Sequence, residues 1–302
     1  MVLLKGDSPV LFDTGYASDY SETVQLLRDA GTPPESLSLI VNSHYHPDHA
    51  GGNHQLQHDY GIPIAAHRWE GDMVNRRDPE ACSAVWMRMP IDLYTVNRLL
   101  SDGDEIECGT VTLQVIHTQG HTLGHISLFE PESKTLLAGD AVHSDDVAWI
   151  GIFREGVGAL RRALESLDRL AALAPKAMVS GHSALYEYPL KAIDTARRRY
   201  ESWLAEPQRM GWHACKRILV YTLMLEDGMS REEVQAYLLT SPWFLDYSRY
   251  VFQTEPTDFV KPLVDELVRS GAAEWQNGKL MPSAPYSPPA KHQFKRSASR
   301  PK

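Results

Sequence analysis

One hexapeptide constrains this chain more than any other feature. His44-Tyr-His-Pro-Asp-His49 places four candidate metal ligands within six residues, directly after Leu37–Val41, a continuous apolar run of strand length. Such a run fits a strand covered on both faces. Imidazole is the usual ligand for zinc and similar divalent ions, and carboxylates complete their shells. His44 and His46 are two apart, so in extended backbone their side chains share a face. Asp48 and His49 follow Pro47, where the chain must turn, and can serve a second ion beside the first. Gly51 and Gly52 come next, which predicts backbone crowding the metals with no Cβ in the way.

Three further candidates lie downstream: His121 in Thr118-Gln-Gly-His-Thr122, Asp140 in Gly139-Asp140 and His182 in Gly181-His182. Each sits beside a glycine and each follows a strand-like segment. Seven ligands are about what two four- or five-coordinate ions need, once a shared carboxylate and a bridging water are included. A lone histidine among the 13 in the chain would mean little; the clustering is what carries the inference. His117, His125 and His143 lie near these ligands in sequence and read as packed or supporting histidines rather than metal partners.

The surrounding pattern alternates strands and helices. Val2–Lys5 and Val10–Asp13 read as a hairpin across Gly6-Asp7-Ser8-Pro9. A helix follows, with Asp19 and Glu22 at capping-box spacing and Val24, Leu26 and Leu27 as its apolar stripe. Val111–Ile116, Ile126–Phe129, Thr135–Ala138 and Lys176–Val179 read as strands, and Val157, Leu160, Leu164, Leu167 and Leu170 recur at helical spacing. This alternation implies a layered α/β fold with polar residues of interest at strand C-terminal ends, where such sheets place their sites. Residues 67–103, rich in Trp69, Met73, Trp86, Met87, Met89 and Tyr94, fit poorly and read as a helical insertion, either its own core or the wall of an apolar pocket. From about residue 205 three helices (Ala214–Leu225, Arg231–Leu239, Thr257–Ser270) and a hairpin turning at Asn277-Gly278 suggest a winged-helix-like domain over 205–283. The aromatic cluster Trp243, Phe244, Tyr247, Tyr250 and Phe252 suits packing inside it, a reach over the site, or a homodimer contact.

Composition sets the remaining bounds. A chain of 302 residues with 43% hydrophobic and 23% charged residues can bury a proper core. No apolar run is long enough to span a bilayer, and the N-terminus is too soon charged for a secretory signal. Cys82, Cys108 and Cys215 are three in number and far apart, which predicts structural thiols in a reducing, cytoplasmic setting. A net charge of −9 argues against a polyanion as main partner. Residues 284–302, with Pro285, Pro288, Pro289, Lys291, Lys295, Arg296, Arg300 and Lys302, read as a disordered basic tail.

His-x-His-x-Asp-His followed in order by Gly-His-Thr, Gly-Asp and Gly-His resembles the metallo-β-lactamase-fold superfamily over residues 1 to about 200. That resemblance implies an αββα sandwich with the metals at one edge of two sheets, in a domain spanning 1–204. It implies that His44, His46 and His121 hold one ion, that Asp48, His49 and His182 hold the other, and that Asp140 bridges them. Asp13, in Leu11-Phe-Asp-Thr-Gly15, also matches a motif of the superfamily and is expected to order the site rather than ligate. The C-terminal region is similar to the winged-helix appendage of one branch. Against the usual pattern, the chain begins at what is ordinarily the second strand.

The chemistry expected from such a site is hydrolysis. Two ions sharing a water lower its pKa from 15.7 to near 7, which makes hydroxide available at neutral pH. Zinc is the default, with manganese or iron as alternatives. Asp48, beside the bridging position, is the expected proton shuttle. Asp at 140 in place of Cys sets the pattern apart from zinc β-lactamases with a thiolate ligand and resembles glyoxalase II thioesterases, lactonases and ribonuclease-like members. A small-molecule ester, thioester or lactone ranks first as substrate and single-stranded RNA second. A mononuclear iron oxygenase resembling persulfide dioxygenases, and a non-catalytic winged-helix regulator, are the readings from other classes. Tyr186 and Tyr188 are candidates to hydrogen-bond a substrate oxygen, with surface packing the plainer reading.

Overall fold

The structure, a computed structural model, describes residues 1–286 apart from 90, 110 and 157. The expected tail from 287 onward and Val157 lie outside the described residues. Two compact units emerge, one of Met1–Ala84 and Pro90–Glu201, the other of Val85–Met89 and the described residues from Ser202 on.

The first unit is built on two sheets. The five-stranded sheet runs β1 (Val2–Leu4), β2 (Val10–Phe12), β3 (Leu39–Val41), β4 (Ile64–His67) and β5 (Arg98–Leu100) in spatial order. The first pair is antiparallel and the other three pairings are parallel. The six-stranded sheet holds β6 (Glu105–Cys108), β7 (Val111–His117), β8 (Ile126–Glu130), β9 (Thr135–Gly139), β10 (Ala177–Ser180) and β11 (Ser183–Tyr186), in reverse spatial order. Only β9 and β10 pair in parallel there.

Period-two alternation explains how these sheets stack. Val10, Phe12, Val41, Ala65 and Leu100 of the first sheet form one buried cluster with Ile106, Leu113, Val115, Ile126, Leu128 and Leu137 of the second. The intervening residues Leu11, Ile40, Ile64 and Ala66 face the other way. There they bury Leu27, Leu56, Met73 and Val74 of the helices Tyr20–Asp29, Asn53–Tyr60 and Arg68–Asn75. The helix Ala159–Ala172 covers the end of β7: Ser166 Oγ donates to the Gln119 carbonyl at 2.7 Å and Arg169 to that of His117 at 2.7 Å. The layers are those of the expected αββα sandwich, a metallo-β-lactamase-type fold.

Local expectations differ from the structure in three places. Asp19 and Glu22 form no capping box; Asp19 ends a short 3-10 turn and makes no side-chain cap. Leu26 is 49% exposed whereas Leu27 is buried, so the helix's apolar stripe is narrower than its composition suggested. Residues 67–103 are not a helical insertion throughout. His67 ends β4, and β5 pairs in parallel beside it; parallel neighbours need a long crossover, usually helical, and the segment with helix Arg68–Asn75 supplies it. Met73 and Tyr94 belong to the core beneath the first sheet.

The second unit contains the helices Pro207–Leu225, Arg231–Thr240 and Pro256–Arg269 and a hairpin of β13 (Ala273–Gln276) and β14 (Lys279–Pro282), with β12 (Met229–Ser230) paired to β14. Asn277 and Gly278 have φ of 50° and 82°, the left-handed pair that a two-residue hairpin turn requires. Ser230 and Glu233 close a capping box at the helix start. Trp243, Phe244 and Tyr247 are fully buried, with Phe244 stacked on Phe259 at 5.5 Å. Val85–Met89 belong to this unit because Trp86 Nε1 donates to Asp246 Oδ2 at 2.8 Å and Arg88 lies over the Tyr237 ring. No helix among the described residues is long and apolar enough to cross a membrane.

Adjacent leucines give a stability test of this packing. Leu27→Ala should cost about 2–5 kcal/mol in urea unfolding, while Leu26→Ala should stay within about 0.5 kcal/mol. Equal losses would mean that the helix is rotated from the orientation described.

Candidate metal centre

Four segments deliver the site. β3 leads through Asn42 and Ser43 into His44 and His46. The short helix Pro47–Ala50 then carries Asp48 and His49. His121 lies in the loop between β7 and β8, Asp140 directly follows β9, and His182 sits between β10 and β11. All seven sequence-predicted ligands converge, in overlapping groups whose ligand atoms lie within 4.8 Å of one another: His44, His46 and His121; His44, His49 and Asp140; Asp48, His49 and His182. Most are buried, whereas the Asp48 and His182 side chains are 15% and 31% exposed, so they form the open edge.

Protonation follows from the hydrogen bonds around the first group. Ser43 Oγ gives its one hydrogen to Asp13 Oδ2 at 2.8 Å, so it accepts from His44 Nδ1 at 3.0 Å. His121 Nδ1 donates to the Trp149 carbonyl at 2.7 Å. Burial, then neighbouring imidazoles, hold the His44 pKa well below its ordinary value; burial also lowers His121, against the pull of Asp140. Both rings are therefore neutral at pH 7, and each turns a bare Nε2 lone pair toward the other at 3.1 Å. His46 Nδ1 faces the same point, 3.1 Å from His44 Nε2 and 2.9 Å from His121 Nε2. A proton on His46 Nδ1 can serve only part of this cluster, whereas a cation between the rings meets all three nitrogens, and three imidazoles are a natural donor set for a divalent metal. The residues fit such an ion.

The second group is dominated by carboxylates. His49 Nε2 lies 3.4 Å from Asp140 Oδ1 and 3.6 Å from Asp48 Oδ2. His182 Nε2 is 3.4 Å from both Asp48 Oδ2 and Asp140 Oδ2. Burial alone would raise both carboxylic acids, but His182 and His49 more than offset it and hold both below the usual range. Burial would likewise lower His49, yet Asp140, Asp48 and Asp13 raise it to about 10. Asp140 reaches both groups, since its Oδ2 is also 3.7 Å from His121 Nε2.

Asp13 lies beneath the cluster, where it accepts from Ser43 N at 2.7 Å and from His49 Nδ1 at 2.8 Å. Its φ of 62° is a strained conformation for a residue other than glycine, of the kind retained at functional sites. Glycines behave differently from the sequence expectation. Cβ atoms on Gly51 and Gly52 would strike backbone of the Thr14–Ala17 loop rather than the ligands; a Cβ on Gly181 would meet Asp140 Oδ1 at 2.3 Å and His49 Cε1 at 2.6 Å.

His143 and His125, read from the sequence as packed or supporting histidines, both lie against Asp140, and Trp149 is a contributor that sequence reasoning missed. His143 points Nε2 at Asp140 Oδ1 from 3.3 Å and forms a further donor group with Asp140 and His182. Trp149 orients His121 and stacks on His46 at 5.3 Å, which only tertiary structure reveals. His125 accepts from Asp140 N at 2.9 Å and donates through Nδ1 to Thr118 Oγ1, which donates to Ser127 Oγ, whose hydroxyl ends on the Ala138 carbonyl. That chain fixes the tautomer of His125 and anchors the residue bearing the Asp140 carboxylate.

The hydroxyacylglutathione hydrolase of Hyphomonas neptunium is 27% identical over 194 residues, covering 62% of this chain and 66% of that protein. The same-named protein of Rhodospirillum rubrum is 31% identical over 148 residues, covering 49% of this chain and 48% of its own. The chain thus spans about half to two thirds of the length of these relatives. Among solved structures, a metallo-beta-lactamase family protein of Thermus thermophilus superposes with a TM-score of 0.55 at 23% identity over 93% of this chain and 92% of its own. A Cronobacter sakazakii metallo-beta-lactamase gives 0.57 at 21% identity, over 67% and 86%. These structural likenesses speak to fold alone. The family model described as the metallo-beta-lactamase superfamily matches residues 1–182, which hold every ligand candidate above, and the chain belongs to that superfamily.

Proposed function

We propose that this chain is a dinuclear metal-dependent hydrolase of a small carboxylic thioester, ester or lactone. The observation that carries the reading is the pair of donor groups, one of three imidazoles and one of Asp48, His49 and His182, with Asp140 in reach of both. His44, His46 and His121 hold one ion, Asp48, His49 and His182 the other, and Asp140 lies between; zinc is the default, manganese or iron the alternatives. Ions so held would supply a water activated near neutral pH and an electrophile for the substrate oxygen. A thioester ranks first because relatives 27–31% identical over 148 to 194 residues are named hydroxyacylglutathione hydrolase.

The chain's own groups divide the remaining work. Asp48, ionised and at the open edge, is placed to take a proton from the attacking water and pass it to the leaving sulfur or oxygen. Trp149 and Tyr45, aromatic neighbours of His46, keep that side of the centre apolar. Asp13 fixes His49 through Nδ1, which leaves Nε2 as the ligand atom. The three helices and hairpin of the second unit support a winged-helix-like reading of residues 205–283, and the chain's charge of −9 favours an acyl substrate over RNA.

Purified protein should contain about two divalent ions per chain and show chelator-sensitive hydrolysis in a panel of thioesters, lactones and aryl esters. One iron per chain with oxygen consumption, or RNA cleavage without acyl turnover, would overturn the reading. Asp48→Asn should keep the His44, His46 and His121 ion yet lower kcat roughly 10²–10⁴-fold. Full turnover in that variant would remove Asp48 from the proton path.

A further inference from the structure

We propose that Glu70 and Glu155 are positioning residues, a buried pair of carboxyl groups that clamps the His121 loop against the His44-Tyr-His46 segment and so sets the geometry of the three-imidazole group. Neither residue belongs to the donor cluster, and both are nearly inaccessible, at 1% and 4% exposure. Glu70 lies on the helix Arg68–Asn75, and Glu155 ends the short helix Ile152–Glu155.

Their partners are the residues that follow His121. Thr122 Oγ1 donates to Glu70 Oε1 at 2.5 Å, and Leu123 N donates to Glu155 Oε2 at 2.7 Å. The backbone of Gly124 and of Tyr45 lies beside the Glu70 carboxyl, whose Oε2 is buried without a hydrogen-bond partner, so one carboxyl sits between the loop of His121 and the residue that separates His44 from His46. Gly124 makes the approach possible: a Cβ there would lie 2.5 Å from Glu70 Cγ.

Two carboxyl groups buried together are costly and need a reason. Burial pushes Glu155 up to about 7 and Glu70 well above its ordinary value, and the neighbouring Glu155 carboxyl raises Glu70 further. Arg154 and Arg162 offset part of that cost at Glu155. What apolar side chains cannot do is accept from the hydroxyl of Thr122 and the backbone amide of Leu123, in a loop that has no strand ladder of its own. Partners that orient metal-binding histidines in this way typically change metal affinity or activity 10–100-fold when removed.

The inference rests on His44, His46 and His121 being metal ligands, and the experiment separates the two. Full-length protein is stripped with chelator and titrated with Co²⁺ against a competing chelator, with the visible d–d bands followed. Glu70→Leu should weaken the tighter Co²⁺ site about 10–100-fold. Glu70→Gln keeps an acceptor oxygen in the same place and should stay within roughly threefold of wild type. Leu113→Ala, in the inter-sheet core, should lower the melting temperature with no comparable loss of affinity. If Glu70→Leu does not fold, Thr122→Val removes the hydroxyl alone and should still weaken Co²⁺ several-fold. Wild-type affinity in Glu70→Leu or Thr122→Val, or an equal loss in Leu113→Ala, overturns the clamp while leaving the metal reading intact. Wild-type protein that binds no Co²⁺ overturns the metal reading itself.

Discussion

The imidazoles of His44 and His121 face each other through Nε2 at 3.1 Å, and the geometry of the site is organised around that contact. Their tautomers are set from outside the cluster, by Ser43 on one side and the Trp149 carbonyl on the other. His46 Nδ1 lies within 3.1 Å of both Nε2 atoms, so three buried ring nitrogens converge where one proton could serve only part of them. A divalent cation turns the same geometry from a cost into a binding energy, and metal uptake and local order become one equilibrium.

Much of the surrounding structure serves to hold that geometry in place. The parallel pairing of β2 with β3 sets Asp13 beside Ser43, where one carboxylate fixes both the segment bearing His44 and the ring of His49. The turn at Gly139, with φ of 53°, brings Asp140 out of β9; a Cβ there would collide with His125 and Ser43. Gly181 makes the same allowance where β10 delivers His182. Strain in Asp13 and steric need at these glycines are thus paid at the positions where the ligands meet, and the inter-sheet core supplies the stability that tolerates them.

Local pattern carried some of this and tertiary packing the rest. The ligand cluster was legible because four donors fall within one turn of chain and the other three each follow a strand and border a glycine. The central strands were legible from apolar runs, whereas β5 was not: Arg98-Leu99-Leu100 is too short to show a period, and its place comes from pairing with β4. Asp19 has the spacing of a cap but not its geometry, since a 3-10 turn intervenes. Trp149, Glu70 and Glu155 act through contacts spanning 28 to 52 residues, and no window of sequence displays them. His143 was legible as a supporting histidine, but its contact with Asp140 was not.

Anomalous diffraction from crystals of the metal-loaded chain would locate the ions. Two peaks about 3.5–4 Å apart are expected, one on His44, His46 and His121, the other on Asp48, His49 and His182, with Asp140 touching both. A single peak, or metal bound away from these residues, would contradict the dinuclear reading.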